Sequence, residues 1–212
     1  MTLLIIRHGE TPLNVARVLQ PADTPLSAQG QAQAEALARR LQSAGLAGVV
    51  SSDLPRALAT AQAIVRASRQ TPGLVLQTSA LLHERNFGAL RGLPYDSLGF
   101  DPLSADAAPP GGESQAQFSA RCQAAWAWVL AQQARVGGAL AVVTHGLVIR
   151  EWLLRGPLVL APDQALPQRL ANTSLTLASA APPHHVTLLD CTAHLAAAAD
   201  GPGEDRHSLS GG

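Results

Sequence analysis

Two segments of this chain share one pattern: an apolar run that stops at His-Gly. Residues 3–9 read Leu-Leu-Ile-Ile-Arg-His-Gly, and residues 139–146 read Ala-Leu-Ala-Val-Val-Thr-His-Gly. Short apolar runs without polar alternation fit strands buried on both faces, as in a parallel sheet under helices. Open parallel sheets gather their ligand sites at the carboxyl ends of the strands. Both His-Gly pairs then belong on one sheet edge, and His8 and His145 come within reach of each other. A glycine directly after each histidine lets the backbone turn sharply and present N–H groups to an anion. Taken singly, either histidine would be an ordinary core or loop residue; two in matching contexts form a pair.

The segments between these strands alternate. Ser27 is placed to cap a helix with Ala32, Ala36, Leu37 and Leu41 at helical spacing, running to about Ser43 before Gly45. A short strand over 48–51 leads to a helix with Pro55 in its first turn and Leu58, Ala61, Ile64 and Val65 on one face. A third strand is expected over 74–77 and an irregular stretch over 81–113. A helix from Ser114 to about Arg135 follows, with Phe118, Cys122, Ala125, Trp126 and Val129 as its stripe. After the second His-Gly comes a helix over 147–154, then strands over 173–178 and 186–190 joined across Pro182-Pro183. Strands alternating with helices predict an α/β layer with a mostly parallel sheet.

The chain's 212 residues suit one domain rather than two. Its apolar runs stay far below the ~20 residues of a membrane span, and the run before Arg7 is too short for a signal-peptide core, so a cytoplasmic protein without membrane association is expected. Fifteen basic residues, all arginine, balance fifteen acids, which gives no support to a nucleic-acid partner. Cys122 and Cys191 are too few for a disulfide framework, and no CxxC pair suggests zinc. From about residue 196 the composition is that of a flexible tail, leaving 1–195 as the domain. Trp126 and Trp128 read as packing residues, with a homodimer left open. His83, His184, His185, His194 and His207 are assigned to loops or the tail.

Other groups join the strand ends. Arg7 precedes the first histidine, and Arg56 follows Ser-Ser-Asp at the end of the second strand. A guanidinium suits phosphate because its planar fork gives two parallel charge-assisted hydrogen bonds. Glu84, in His-Glu-Arg-Asn-Phe-Gly at the start of the irregular stretch, is placed where a carboxylate could hang over the site as a proton donor.

RHGET with Asn14, PLSAQG, SSDLPRALATA, HERNFGALRG, GGES and VVTHG, in that order, resemble the histidine phosphatase superfamily over roughly residues 3–178. The resemblance implies a three-layer α/β/α sandwich of phosphoglycerate mutase-like fold. It implies His8 as the nucleophile that takes the phosphoryl group and Glu84 as general acid, then general base. Arg7, Arg56, His145 and Asn14 would bind the phosphate oxygens, with Thr11 and Gly146 lining the same pocket. His8 must be neutral to attack, its other ring nitrogen donating to a carbonyl, while His145 would serve as an imidazolium. A small phosphorylated metabolite is the implied partner, with no metal and no cofactor, because positioned cations can carry phosphoryl transfer themselves.

Three outcomes stay open within the resemblance. Hydrolysis of a phosphomonoester is favoured, because Glu84 and His145 lie only 61 positions apart and residues 92–120 contain no Arg or Lys, whereas mutases of the family carry a longer, basic insertion there. A cofactor-dependent phosphoglycerate mutase is the alternative, followed by an inactive binding module of the same fold. A metal hydrolase using His8, Glu84 and His145 finds no HExxH or carboxylate cluster to support it. The loop Gln20-Pro21-Ala22-Asp23 departs from the family pattern, proline standing where glycine is usual, so no substrate contact is assigned to it.

Overall fold

The computed structural model describes residues 1–68 and 73–199. Strand β1 (Thr2–Arg7) shows how the layers are assembled: Leu3 and Ile5 enter one hydrophobic cluster, and Leu4 and Ile6 enter another on the opposite face. This is the two-sided burial expected of a central parallel strand. Strand β4 (Ala139–Thr144) divides likewise, Leu140 and Val142 on one side, Ala141 and Val143 on the other.

Among the described residues the sheet has seven strands in the order β3-β2-β4-β1-β6-β7-β5. The others are β2 (Leu46–Ser51), β3 (Leu76–Thr78), β5 (Leu158–Val159), β6 (Leu175–Ser179) and β7 (His184–Cys191). Only β6 runs against the rest. Helices α2 (Ala28–Leu41) and α3 (Pro55–Ala67) pack on one face, α4 (Gln115–Val136) and α5 (Gly146–Leu154) on the other. The α/β/α sandwich with a mostly parallel sheet is therefore the observed fold.

The chain leaves β1 toward one face and β4 toward the other, although the two strands are neighbours. Such a divergence opens a crevice at their carboxyl ends. The register Arg7↔Thr144 sets both His-Gly turns side by side at that crevice.

Several boundaries differ from the expectation. Helix α3 turns Arg56, Ala57, Thr60, Ala61 and Ile64 inward, leaving Leu58 and Val65 half-buried. Polar ties set this rotation, because Thr60 Oγ1 accepts from the Gly9 N–H at 3.0 Å and Arg56 must face the crevice. Residues Pro12–Val15 form a short helix α1, capped by Thr11 and Asn14, where a loop was expected. His184 and His185 lie in β7 rather than a loop, with His184 edge-on to Trp126. The chain is helical in α6 (Ala193–Ala199), where a tail was expected to have begun by 196; alanine favours helix, and Arg40 of α2 meets His194. The remainder of the expected tail, with His207, lies outside the described residues.

Candidate active site

A cavity of about 490 Å³ opens at the carboxyl ends of β1 and β4. Arg7, His8, Asn14, Arg56, Glu84 and Gly146 all line it. Thr11 and His145 do not.

His8 is almost fully buried, with its Nδ1 2.6 Å from the Gly9 carbonyl oxygen. A carbonyl can only accept, so Nδ1 carries the proton and the lone pair sits on Nε2. Burial, reinforced by the Arg56 and Arg7 charges, pushes the His8 pKa well below 6.5, so the ring is neutral at physiological pH. The backbone behind it is fixed: its N–H donates to Thr144 O at 3.0 Å, and its carbonyl accepts from Thr173 N–H and from Asn172 Nδ2. Gly9 is required here by close approach, since a Cβ at that position would stand 2.6 Å from the Gly30 carbonyl oxygen of α2.

The two guanidiniums arrive from different elements. Arg7 closes β1 and donates through Nη1 to Leu170 O, while its buried Nε has no partner. Arg56, in the first turn of α3, makes two long hydrogen bonds of 3.4 Å to Pro21 O and Ala22 O, and its Nε is likewise unpartnered. Burial lowers the Arg56 pKa to about 10, which leaves it cationic at neutral pH. Buried donors without partners cost free energy unless a ligand supplies acceptors. Two such atoms on cations beside a neutral imidazole describe a cradle for an anion.

His145 lies beside His8, ring centroids 5.1 Å apart, but is fully buried and off the cavity wall. Its Nε2 meets Ser52 Oγ at 2.9 Å and its Nδ1 is unpartnered. The imidazolium expected for it is not favoured: burial, then the Arg56 charge and its neighbour His8, push its pKa well below 6.5. Thr11 is a second correction. Its backbone N–H and hydroxyl are taken up by Asn14 and Gln20 at the start of α1, which holds Asn14 in place. Asn14 Oδ1 accepts from Thr11 N–H and Asn172 Nδ2, so its amide NH₂ is the end left for the cavity. Glu10, the other charge in RHGET, accepts from Ser27 Oγ at the start of α2 instead.

Glu84 comes from the irregular stretch. Its Oε1 accepts from Arg85 N–H at 3.0 Å and its Oε2 from Leu147 N–H at 3.3 Å. Burial raises its pKa, opposed by the Arg85 N–H and the Arg56 charge. This favours the protonated form that a general acid needs. Arg121 of α4 secures the segment, donating to the carbonyls of Leu81 (2.9 Å), His83 (2.7 Å) and Glu84 (3.3 Å), and pairing with Glu113 in a two-point fork at 2.7 and 2.8 Å. Burial would raise the Glu113 carboxyl, yet the hydrogen bonds from Arg121 and Asn86 N–H hold it below the usual carboxylate range. Glu113 belongs to GGES, a block recognised in the sequence without a role; Arg121 carried no sequence signal apart from its place on α4.

Sequence reasoning also missed Ser52, Asn172, Gln20, Tyr95, Arg85, Arg150 and Arg169. Ser52 and Asn172 hold the histidine turns; the other five line the cavity. Gln20 was the nearest to hand, in the loop set aside for its proline.

Two buried guanidiniums, a neutral tautomer-fixed histidine and a carboxyl at one sheet edge form a pocket suited to an anionic group. The comparisons carry this to a family. Residues 3–189 match the family model described as histidine phosphatase superfamily (branch 1), and the chain belongs to that superfamily. A probable phosphoglycerate mutase GpmB from Yersinia enterocolitica is 33% identical over 186 residues, covering 83% of each chain. A mycobacterial glucosyl-3-phosphoglycerate phosphatase of known structure is 29% identical, with TM-score 0.66 over 84% of this chain and 89% of its own. A phosphoglycerate mutase from Bacillus anthracis is 27% identical, with TM-score 0.76 over 94% and 96%. Among the described residues no helix is long and apolar enough to cross a membrane.

Proposed function

We propose that the protein is a phosphomonoester hydrolase that passes the phosphoryl group of a small metabolite through a covalent phosphohistidine on His8. The observation that carries this is the Nδ1-to-Gly9 hydrogen bond, which aims a neutral Nε2 at a cavity flanked by Arg7, Arg56 and Glu84. In the first half, Nε2 attacks phosphorus, the P–O bond to the alcohol breaks, and the protonated Glu84 gives its proton to the leaving oxygen. In the second, Glu84 as carboxylate takes a proton from water, the water oxygen attacks phosphorus, and the P–N bond breaks to release inorganic phosphate and neutral His8. Arg7, Arg56 and the Asn14 amide hold the equatorial oxygens, where the charge of a loose transition state collects. A phosphoryl dianion beside His8 favours a proton on His145, against the burial and the Arg56 charge that oppose it, so that this ring acts as a cation beside the phosphoryl group.

The hydrolase reading is supported by the absence of Arg and Lys from residues 92–120 and by similarity to a glucosyl-3-phosphoglycerate phosphatase. The mutase reading has its own support in the Yersinia relatives. A panel of phosphomonoesters that includes p-nitrophenyl phosphate, and 3-phosphoglycerate with 2,3-bisphosphoglycerate, separates them: phosphate release is expected, and isomer exchange without release would replace hydrolase by mutase. Activity surviving EDTA is expected; loss restored by a divalent cation would overturn the metal-independent mechanism.

A further inference from the structure

The mechanism leaves two buried histidines without a task, His184 and His194. His184 packs edge-on to Trp126, and its Nδ1 lies 3.0 Å from the Ser179 carbonyl oxygen, so its contacts belong to the β6–β7 hairpin. His194 differs. It lies on α6, at the opposite end of the chain from His8, yet its ring reaches the turn that supports the proposed nucleophile.

The protons of this contact can be assigned. Arg40 Nη1 stands 3.3 Å from His194 Nδ1, and a guanidinium only donates, so Nδ1 accepts and the ring proton sits on Nε2. Nε2 lies 3.1 Å from Thr173 Oγ1, whose own hydroxyl donates to the Asn172 carbonyl at 2.7 Å. Thr173 Oγ1 therefore accepts the His194 Nε2–H. Burial, with the Arg40 charge, lowers the His194 pKa to about 4, which keeps the ring neutral at neutral pH.

Thr173 needs such a tie. Its φ of +54° is left-handed, an outlier for a β-branched residue, and a conformation of that kind persists where the surroundings over-determine it. Thr173 is fully buried, and its N–H donates to the His8 carbonyl at 3.2 Å. The same turn serves the neighbouring groups. Asn172 Nδ2 donates to His8 O at 3.1 Å and to Asn14 Oδ1 at 3.2 Å, while Ser174 O accepts from the Arg7 N–H at 3.3 Å. Arg7, His8 and Asn14 all line the cavity, and all three lean on residues 172–174.

We propose that His194 is a positioning residue for the phosphoryl site: by donating to Thr173 Oγ1 it holds the turn that sets the His8 carbonyl, the Asn14 amide and the Arg7 backbone. Helix α6 thereby supports a site whose nucleophile lies at the other end of the chain. The inference rests on the phosphoryl site proposed above.

The test uses the full chain and the variants His194→Ala, His194→Gln, Thr173→Val and His184→Ala. Turnover of p-nitrophenyl phosphate and glycerol 3-phosphate is measured beside calorimetric binding of inorganic phosphate and thermal melting. His194→Ala should lower kcat/KM about fivefold on both esters alike and weaken inorganic phosphate by a similar factor, the size expected of one neutral hydrogen bond. His194→Gln, whose amide N–H can take the place of Nε2–H, should recover most of this. Thr173→Val, which removes the acceptor and keeps the branched shape, should match His194→Ala, and the double variant should be no worse than either. His184→Ala should melt lower with kcat/KM within about twofold.

A lower melting temperature in His194→Ala with kcat/KM and phosphate binding unchanged overturns the proposal, as does an equal fall in His184→Ala. A fall confined to glycerol 3-phosphate also overturns it, since that would place the effect on leaving-group protonation. Should His194→Ala not fold, Thr173→Val decides by the same readings. If the unaltered protein binds inorganic phosphate but hydrolyses neither ester, the hydrolase reading fails and the phosphate affinities decide the role of His194. If it binds no phosphate, both fall.

Discussion

The two halves of the site are built in opposite ways. Arg7, His8 and His145 stand at the ends of adjacent central strands, where register and a buried sheet fix the backbone and Ser52, Thr60 and Asn172 add one short tie each. Glu84 stands in a stretch of short turns, and its place depends on side chains brought from a distance: Arg121 from α4, Glu113 from the GGES turn, and the N–H of Leu147 on α5. Cores support strand ends cooperatively, whereas a loop-borne acid is only as well placed as the hydrogen bonds around it. The proposed nucleophile His8 should therefore tolerate peripheral substitution better than the proposed acid Glu84 does.

The largest effect that would sharpen this contrast is on the acid itself. Glu84→Gln should lower kcat by about 10²–10⁴-fold for an alkyl phosphate, and by much less for p-nitrophenyl phosphate, whose leaving group needs no proton. An equal loss on both substrates would remove Glu84 from leaving-group protonation. Next in size, Glu113→Gln or Arg121→Ala should reproduce that alkyl-over-aryl pattern at roughly 10–100-fold, in the range of groups that position a catalytic residue. Circular dichroism and melting checks that the fold is intact. If the phosphoryl-acceptor step falls as much as the protonation step, the two halves are not separately supported.

On the strand-end side, Gly9→Ala should cost about 1–3 kcal/mol of stability, measured by urea unfolding, because its Cβ would collide with the Gly30 carbonyl. A neutral result would mean that the turn after His8 is not tightly held. The smallest effect is on pH dependence. His8 and His145 are held below their unfolded pKa of about 6.5. Below that value the unfolded chain binds protons that the folded site refuses, so stability is full above pH 6.5 and declines as pH falls. The slope is up to about 1.4 kcal/mol per pH unit for each ring, while the raised Glu84 works against it. Thermal melts between pH 7.5 and 5 should show the decline, reduced in the His145→Asn protein. A flat profile that stays flat in the Glu84→Gln protein would mean that both rings take up protons in the folded state as they do in the unfolded chain.

The same division governs what the sequence made legible. Strands β1 and β4, the helices capped by Ser27 and Ser114, and the cavity positions of Arg7, His8, Arg56 and Glu84 follow from local pattern and ordered motifs. The role of Glu10 as a tie to Ser27, the retreat of His145 behind His8, and the use of Thr11 as a cap do not, because each is decided by a partner distant in sequence or by burial. The inward face of α3 was misread for a related reason: Arg56 and Thr60 face inward to meet the site, and an apolar-only count of the helix misses them. Arg121, Arg150 and Arg169 look like ordinary solvated arginines until the fold shows which carbonyls they hold or which cavity they face.

The central claim is that the strand-end histidine at position 8 accepts the phosphoryl group. Brief incubation with a ³²P-labelled phosphomonoester, followed by denaturation and peptide mapping, tests it most directly. An acid-labile, base-stable label on the peptide containing His8, absent from the His8→Ala protein, is the expected result. A label on another residue, or label and turnover that persist in His8→Ala, would contradict it.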